Sequence, residues 1–373
     1  MKVIVTGGGT AGHVNPALSI AATIKKYDAD ASISFIGTKK GIESRLVPKA
    51  GYDISYIDVS GLQRKLTLKN AKVAYKAIRS YQECKKILKE EKPDVVVGTG
   101  GYVTWPVCRA AASLGIPTVL HEANAVAGFA VKMLKKKADV IFVNFEGTKK
   151  NLEGAKGEII RIGMPIHEDF YKYTKKQARE ELGIDDDKKM ILSFGGSLGA
   201  KTLNDAVIGF MNDYVRKHPN VYHVHSTGNR FFEECNEKIQ SLGLDKCENI
   251  CVKEYLYDIP KLMIASDVVI CRSGASTLSE LSACAKASIL VPSPNVTNNQ
   301  QYHNAKEYSD LGAAVLIEDK DLDSIAIHEC VDDLFSDERL LRSLGKRAAD
   351  FEVKNSEKIL FDKIKSIVES SKE

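Results

Sequence analysis

Two glycine-rich turns, almost half a chain apart, constrain this sequence more than any other feature. The first is GGGTAGH at residues 7–13, after the apolar run 3–5, and the second is GGSLGA at residues 195–200, after the run 190–194. Each turn closes a predicted strand and opens a predicted helix. Glycine lets a backbone approach a ligand closely, and a helix N-terminus offers unpaired N–H groups. The two turns therefore predict two α/β domains, each with a ligand-binding turn.

Apolar runs alternate with helical patterns in both halves of the chain, which is typical of parallel sheets buried on both faces. The length of 373 residues agrees with two domains. We therefore predict an α/β protein with two doubly wound, Rossmann-like domains facing across a cleft. The predicted strands lie at 3–5, 33–36, 54–59, 95–97, 118–120, 140–143, 159–162, 191–194, 222–225, 250–253, 268–271, 288–291 and 314–317.

The stretch GMPIH at residues 163–167 ends the last strand of the first half and is predicted to be the interdomain hinge. We expect one domain over residues 1–163, a second over 164–354, and a last helix, about 355–373, that packs back on the first domain. The first helix is predicted to start with Asn15 as its cap and Pro16 in its first position.

Composition excludes some classes of function. The net charge of +4 is small and no nucleic-acid-binding motif is present, so we do not expect binding to nucleic acid. No secretory signal is visible, and no apolar stretch approaches the roughly 20 residues that span a bilayer. Residues 62–82 mix apolar and basic side chains without an acid, which suits an anionic membrane surface. The basic residues of this stretch are Arg64, Lys65, Lys69, Lys72, Lys76 and Arg79.

Residues 7–12 also fit the G-x-G-x-x-G pattern of dinucleotide-binding enzymes, so an NADP-dependent oxidoreductase is one alternative. The second predicted strand ends in FIGTKK at 35–40, without the acid that holds the ribose of NAD. A nucleotide-sugar epimerase and a non-catalytic nucleotide-sugar binder share the twin-domain pattern and stay open as further alternatives.

Polar residues follow three predicted strands of the first half: His13, the turn Gly100-Gly101-Tyr102, and the pair Glu122 and Asn124. The carboxyl ends of parallel strands meet at one edge of a sheet, so we expect these residues to cluster there. His13 is the candidate general base because imidazole titrates near neutral pH, and Glu122 is its rival.

In the second half, residues 271–280 (CRSGASTLSE) follow a strand and begin a helix. Small residues let the backbone approach a ligand, and Glu280, one helical turn beyond Ser276, can accept both hydroxyls of a ribose. The loop 292–301 is dense in amide groups, which suit sugar hydroxyls because they both donate and accept. No metal-binding constellation is apparent, so we expect neither a metal nor another cofactor.

Together and in this order, these motifs closely resemble the MurG-type glycosyltransferases of bacterial peptidoglycan synthesis, over essentially the whole chain. The resemblance implies the GT-B fold and an inverting transfer of N-acetylglucosamine (GlcNAc) from UDP-GlcNAc to the C4 hydroxyl of the N-acetylmuramoyl (MurNAc) sugar of lipid I, giving lipid II. It also implies a peripheral protein on the cytoplasmic face of the cell membrane, with the acceptor and the membrane on the N-terminal domain. The motifs that carry it are residues 8–13, 100–103, 121–124, 195–200, 271–280 and 300–301.

The resemblance also assigns site residues. In the N-terminal domain, Gly100, Gly101 and Tyr102 lie on the acceptor side. Ser197 would hold the diphosphate, Leu256 would meet the uracil through its backbone, and Gln301 would hold sugar hydroxyls. Where the family often has Arg and Gln, this chain has His167 and Leu198. The full set implied to bind UDP-GlcNAc is Thr10, Ala11, Gly12, Asn124, His167, Ser197, Leu256, Ala275, Ser276, Thr277, Leu278, Ser279, Glu280, Gln300 and Gln301.

Overall fold

The computed structural model describes residues 1–61 and 68–372, the side chains of residues 68–74 excepted. The chain divides into two units, one of residues 1–165 with 353–373 and one of residues 166–352. The first crossing between them falls slightly after the expected boundary at 163/164. Pro165 stays with the first unit because the Ser19 hydroxyl donates a hydrogen bond to its carbonyl oxygen over 3.2 Å.

The first unit is built on a sheet of seven strands. They are β1 (Lys2–Thr6), β2 (Ser32–Gly37), β3 (Asp53–Tyr56), β4 (Val95–Gly98), β5 (Thr118–Glu122), β6 (Val140–Val143) and β7 (Glu158–Arg161). All neighbours are parallel, in the order β3-β2-β1-β4-β5-β6-β7. The chain runs outward from β1 to β3 and then resumes at β4 on the other side of β1. The topological switch point, where α/β sheets bind ligands, therefore lies between β1 and β4.

In the part of this unit that the structure describes, six helices connect the strands. They are α1 (Ala11–Tyr27), α2 (Glu43–Lys49), α3 (Leu68–Glu91), α4 (Thr104–Ser113), α5 (Phe129–Leu134) and α6 (Thr148–Asn151). The predicted start of α1 at Asn15 and Pro16 is wrong, because the helix begins at Ala11 after an extended Thr10 (φ −141°, ψ 157°) and Pro16 lies inside it. Proline has no N–H, so the Gly12 carbonyl receives no helical hydrogen bond from position 16, and the Pro16 ring is buried.

The second unit repeats the plan with six parallel strands. They are β8 (Lys189–Phe194), β9 (Val221–Ser226), β10 (Ile250–Lys253), β11 (Val268–Cys271), β12 (Ala287–Leu290) and β13 (Val315–Leu316). Their order is β10-β9-β8-β11-β12-β13, so the switch point lies between β8 and β11. Its helices are α7 (Lys175–Leu182), α8 (Lys201–Asp213), α9 (Phe232–Ser241), α10 (Ile259–Ala265), α11 (Ala275–Ala283), α12 (Gln300–Asp310), α13 (Ser324–Ser336) and α14 (Glu338–Phe351).

The last helix, α15 (Ser356–Ser370), returns to the first unit and packs against α1. Its buried residues Leu360, Ile364 and Val368 complete an apolar cluster with α1 and the first sheet. The rings of Tyr27 and Phe361 stack with their centroids 5.3 Å apart. One face of the first sheet is therefore covered by α1 together with α15.

Each apolar run predicted to be a strand forms one, although β3 and β13 are shorter than expected. The prediction of two doubly wound, Rossmann-like parallel sheets is therefore confirmed. Among the described helices, none combines the length and the apolar character that crossing a membrane requires.

Candidate active site

The first switch point brings two glycine turns together. β1 and β4 end side by side, with Thr6 opposite Gly98, so the turns that follow them are neighbours. The Gly8 N–H donates to the Gly100 carbonyl over 3.4 Å. Gly101 has φ +81°, and a Cβ there would lie 2.1 Å from the Gly8 carbonyl oxygen. Only glycine allows this approach, so the two turns form one rigid backbone platform.

His13 lies on this platform, in the first turn of α1. Its Nδ1 is 3.2 Å from the Gly8 carbonyl oxygen and 3.2 Å from the Thr10 hydroxyl. Because a carbonyl oxygen only accepts, this network assigns the proton to Nδ1 and leaves the lone pair on Nε2. Within the described residues, Nε2 has no hydrogen-bond partner. Burial lowers the pKa of His13, against the opposing effects of the Gly8 carbonyl and the Glu43 charge. The ring is therefore neutral at neutral pH and presents a free basic nitrogen.

The Glu43 carboxylate lies beneath the first glycine turn and was not singled out in the sequence. It is buried at 1% exposure and accepts hydrogen bonds from the Gly9 N–H (3.0 Å), the Thr38 N–H (3.0 Å) and the Thr38 hydroxyl (2.7 Å). In dinucleotide-binding enzymes, N–H groups of this turn face a pyrophosphate. Here an internal negative charge already occupies the Gly9 N–H, which disfavours the oxidoreductase alternative.

Glu122, the rival base, uses its carboxylate to hold the loop after β5. One oxygen accepts from the Asn124 N–H (3.0 Å) and amide group (3.2 Å), and the other accepts from the Gly128 N–H (2.7 Å). Burial raises the pKa of Glu122, while these donors act in the opposite direction. The preceding His121 is fully buried, and burial lowers its pKa to about 4. The geometry gives Glu122 the role of a loop anchor.

The remaining predicted residues of the first unit lie around the same platform. Thr10, Ala11 and Gly12 are exposed at the start of α1. The Tyr102 ring covers Gly9, since a Cβ on that glycine would lie 2.7 Å from the ring. The structure therefore gathers Thr10, Ala11, Gly12, His13, Gly100, Gly101 and Tyr102 at one edge of the sheet.

The second switch point places two helix N-termini side by side. β8 and β11 end together, with Phe194 opposite Cys271, and α8 and α11 begin shortly after them. Gly199 has φ +78°, and a Cβ there would lie 1.9 Å from the Thr227 carbonyl oxygen, so the turn needs glycine. Ser197 and Leu198 are exposed at its tip. Two helix dipoles and their free N–H groups make this edge attractive to an anion such as a diphosphate.

Glu280 lies in the second turn of α11 and is partly buried. Burial raises the pKa of its carboxyl to about 7. Among the described residues the carboxyl has no hydrogen-bond partner, and the titratable groups that sense its charge are the thiols of Cys271 and Cys284. A desolvated carboxyl without donors is costly, so the site favours a ligand that supplies hydroxyl groups.

Helix α11 presents backbone N–H groups to a ligand, whereas two of its predicted side chains are engaged within the protein. The Leu278 side chain is fully buried in the core, and the Ser279 hydroxyl donates to the Ala275 carbonyl over 3.2 Å. The N–H groups of Ala275, Ser276 and Thr277 form the first turn of the helix and lack acceptors within it. A ligand at this end meets N–H donors first and Glu280 one turn later.

The amide-rich loop packs beside α11. The Ser273 hydroxyl donates to the Gln301 carbonyl oxygen (2.8 Å), and the side-chain oxygen of Gln301 accepts from the Ser293 N–H (2.8 Å). The first bond holds the Gln301 backbone and the second orients its side chain, whose NH₂ group has no partner among the described residues. Gln300 precedes it as the first residue of α12. Gln301 is therefore oriented as a donor.

Arg272 holds the loops of this edge together. Its guanidinium donates to the carbonyls of Val291 and Pro292 (3.2 Å each) and pairs with Asp319 at 2.5 Å. The Thr202 hydroxyl in α8 also donates to Asp319, over 2.7 Å. Asp319 is thus occupied by internal partners. Within residues 1–61 and 68–372, no three His, Cys, Asp or Glu side chains are grouped to hold a metal ion.

Two further predicted residues lie apart from these contacts. The Leu256 side chain is buried, so any contact with a base would use its backbone. His167 is exposed, and its Nδ1 lies 3.1 Å from the Asp169 carboxylate. The structure does not place His167 in contact with the second switch point within the residues it describes.

A buried polar cluster below the second switch point gave no signal in the sequence. The Ser193 hydroxyl lies 2.7 Å from His223 Nε2 and 2.7 Å from His225 Nδ1. Burial lowers the pKa of both imidazoles, that of His225 to about 4. The cluster is therefore neutral and links the adjacent strands β8 and β9.

Two Rossmann-like units, each with ligand-binding features at its switch point, define a protein of the GT-B class. The Glycosyltransferase family 28 N-terminal domain matches residues 3–143, and the Glycosyltransferase family 28 C-terminal domain matches residues 190–360. The chain belongs to glycosyltransferase family 28.

Relatives and solved structures agree with this assignment. A protein of Acetivibrio thermocellus, named "UDP-N-acetylglucosamine--N-acetylmuramyl-(pentapeptide) pyrophosphoryl-undecaprenol N-acetylglucosamine transferase", is 38% identical over 99% of both chains. A protein of Thermoanaerobacter sp. with the same name is 38% identical over 98% of this chain and 100% of its own. The crystal structure of Acinetobacter baumannii MurG superimposes with a TM-score of 0.80 at 28% identity, covering 98% of this chain and 99% of that one. The predicted family resemblance is confirmed.

Proposed function

We propose that this chain is an inverting glycosyltransferase that moves GlcNAc from UDP-GlcNAc to the C4 hydroxyl of the MurNAc sugar of lipid I, forming lipid II. The names of its relatives supply the donor and the lipid-linked acceptor. The observation that carries the proposal is the second switch point, where two helix N-termini adjoin the Glu280 carboxyl, which has no hydrogen-bond partner in the part of the chain that the structure describes. These groups complement the diphosphate and the ribose of a UDP-sugar.

In this proposal, the second unit binds the nucleotide. Ser197 and the N-terminus of α8 hold the diphosphate, and residues 275–280 hold the nucleoside with Glu280 on the ribose hydroxyls. Leu256 meets the uracil through its backbone, and the Gln301 amide donates to sugar hydroxyls with Gln300 beside it. His167 stays a proposed donor contact. The relatives are named as transferases, which favours this function over an epimerase or a non-catalytic binder.

The chemistry needs a base, an in-line approach and stabilisation of the leaving group. His13 Nε2 takes the proton of the C4 hydroxyl as the oxygen forms its bond to the anomeric carbon. The bond from that carbon to the UDP oxygen breaks on the opposite face, which inverts the configuration. The negative charge that develops on UDP falls on N–H groups at the second switch point. Removing one such preorganised donor typically costs about 3 kcal/mol of barrier.

The first unit supplies the acceptor side. Gly100, Gly101 and Tyr102 form the surface beside His13 on which the muramoyl sugar rests. Thr10, Ala11 and Gly12 approach the donor sugar, together with Asn124. Glu122 anchors the loop that carries Asn124, so it acts on the reaction through that loop.

We further propose that the protein is peripheral on the cytoplasmic face of the cell membrane. α4 contacts both α3 and α5, and these two neighbours expose large apolar side chains. Arg79, Lys132 and Lys136 are exposed on or beside them, as an anionic surface would require. Arg64 and Lys65, and the side chains of Lys69 and Lys72, lie outside the described residues, and Lys76 pairs with Asp58 at 2.8 Å. Among the described side chains of α3 and α5, the exposed large apolar ones are Tyr75, Ile78, Phe129 and Met133.

The membrane proposal is tested by charge reversal. Arg79→Glu with Lys132→Glu is expected to reduce cosedimentation with phosphatidylglycerol vesicles and to spare turnover of a soluble lipid I analogue. Lys346→Glu with Arg347→Glu, on exposed positions of α14 in the second unit, is the matched control. Equal vesicle binding by both double variants would contradict the proposed surface.

The function is tested by incubating the protein with UDP-GlcNAc and a soluble lipid I analogue. We expect release of UDP and a disaccharide product whose new bond is β by its anomeric proton coupling. Conversion of UDP-GlcNAc to its 2-epimer without an acceptor would indicate an epimerase. Binding of UDP-GlcNAc without any turnover would indicate a binder, and selective binding of NADPH would indicate an oxidoreductase.

A further inference from the structure

We propose that Glu43 is a positioning residue for His13, and that it acts through the single peptide group between Gly8 and Gly9. The carboxylate, the peptide and the imidazole form a hydrogen-bonded relay that fixes the tautomer of the ring and stabilises its protonated form. The inference rests on the proposed role of His13 as general base.

The relay follows from the two ends of one peptide group. The Gly9 N–H donates to Glu43 Oε2 over 3.0 Å, and the carbonyl oxygen of the same peptide, on Gly8, lies 3.2 Å from His13 Nδ1. In a trans peptide the N–H and C=O point in opposite directions. The carboxylate and the imidazole therefore lie on opposite sides of one planar, polarisable group.

The surroundings of Glu43 fit a fixed negative charge. Among the described residues, the hydrogen-bond partners of the carboxylate, on Gly9 and Thr38, are all donors. A Cβ on Gly8 would lie 2.7 Å from the carboxyl group, so glycine is what lets the carboxylate reach the turn. The sequence feature that resembles a dinucleotide motif is thus used to admit an internal carboxylate.

The negative charge of Glu43 favours the protonated form of the His13 ring. A carboxylate that accepts from the N–H end of a peptide polarises the group and makes its carbonyl oxygen a stronger acceptor for Nδ1–H. Among the described residues, Glu43 is the charged group that acts on His13, and its charge raises the pKa of the ring against burial. The Thr10 hydroxyl and the turn at Gly100 and Gly101 contribute no charge.

The arrangement corresponds in purpose to the carboxylate of a Ser-His-Asp triad. There the carboxylate bonds directly to the imidazole, holds its tautomer and stabilises the imidazolium. Here a peptide group stands between them, so we expect the coupling to be weaker than in direct contact. Glu43 touches neither substrate nor the reacting atoms, and its effect appears only through His13.

The experiment compares the wild-type protein with Glu43→Gln by ¹⁵N NMR of the histidine rings and by pH-dependent kinetics. In the wild type, we expect His13 to hold its proton on Nδ1. In Glu43→Gln, we expect a mixture of tautomers and a lower His13 pKa, and hence an acid limb of the kcat profile that moves to lower pH. We expect kcat to fall about 10-fold or more, with the KM for UDP-GlcNAc nearly unchanged.

Asp94→Asn is the matched control. Asp94 also accepts a backbone N–H, that of Lys2 over 2.7 Å, but it lies at the opposite edge of the first sheet. A second variant, Thr38→Val, removes one donor to Glu43 and keeps the charge, so we expect it to preserve the Nδ1–H tautomer.

Three results separate the possibilities. An unchanged tautomer and unchanged His13 pKa in Glu43→Gln would overturn the relay. If that variant does not fold, the wild-type spectrum still decides, because a proton on Nε2 would overturn it as well. A changed tautomer, together with normal kcat in His13→Ala, would support the relay and contradict the role of His13 as the base.

Discussion

The two glycine turns have related sequences and equivalent places in their sheets, but the structure uses them differently. The first turn is closed, because the Gly9 N–H donates to Glu43 and the Tyr102 ring covers Gly9. The Gly8 carbonyl of this turn orients one side chain, that of His13. The second turn is open, because Ser197 and Leu198 are exposed at its tip, and it presents a set of backbone N–H donors.

A glycine turn before a helix lets another group come close to its backbone. Whether that group is an internal carboxylate or a ligand depends on the residues around the turn. Beneath the first turn an internal carboxylate fills the place of an anionic ligand. Among the described residues, no carboxylate accepts a hydrogen bond from the second turn, and the nearby Asp319 is paired with Arg272. We therefore expect the first turn to govern the rate of proton transfer and the second to govern affinity for the nucleotide.

The largest effect is expected from His13→Ala. Loss of a general base typically lowers the rate about 10²–10⁴-fold, or roughly 3–5 kcal/mol of barrier. We expect kcat with a soluble acceptor to fall by this amount, while UDP affinity measured by calorimetry stays within about twofold. His328→Ala, which removes an exposed imidazole of the second unit, is the control. A kcat close to that of the wild type would move the base role to Glu122 or to water.

Glu280→Ala tests the second switch point and is expected to weaken the binding of UDP. Hydrogen bonds to charged groups contribute about 1.5–3 kcal/mol, so UDP affinity should fall roughly 10- to 100-fold. The fold should persist, because the carboxyl has no partner among the described residues. Calorimetry with UDP measures the affinity, and Glu280→Gln, which keeps one acceptor, should lie between the variant and the wild type. Unchanged UDP affinity would contradict the ribose assignment.

A change of pH is expected to have a smaller effect on the affinity for UDP-GlcNAc. Burial raises the pKa of the free Glu280 carboxyl to about 7, and ribose hydroxyls that donate to it favour its charged form. UDP-GlcNAc should therefore bind more tightly as the pH rises from about 6 to 8, by at most about tenfold, with proton release on binding near neutral pH. Titrations across this range measure the effect. A slope that persists in Glu280→Gln would assign it to another group.

The smallest effect is expected from metal removal. Helix N-termini rather than a cation are proposed to stabilise the leaving diphosphate, so EDTA should leave turnover of the soluble acceptor unchanged. Initial rates before and after chelation provide the measurement. If activity were lost and Mg²⁺ alone restored it, the second turn would not suffice for the leaving group.

The sequence predicts the strands because buried parallel strands appear as short apolar runs between helices, and each such run forms one. It also predicts that His13 and the turn at Gly100 are neighbours, because both follow strands that meet at one edge. It misses Glu43, which reaches the first glycine turn only because α2 folds back beneath residues more than 30 positions earlier in the chain. It also misplaces the start of α1. Asn15 and Pro16 suggest a helix start in the sequence, but the glycine turn holds Thr10 extended, and the helix begins at the next residue.

The return of α15 has a consequence for the order in which the chain can fold during synthesis. The first unit is discontinuous, because its apolar cluster includes Leu360, Ile364 and Val368, which leave the ribosome after the whole second unit. The second unit is continuous over residues 166–352 and has all its parts earlier. The half of the protein that is translated first is thus completed after the second unit, and a fragment that ends at residue 165 would lack the α15 side chains of its own apolar cluster.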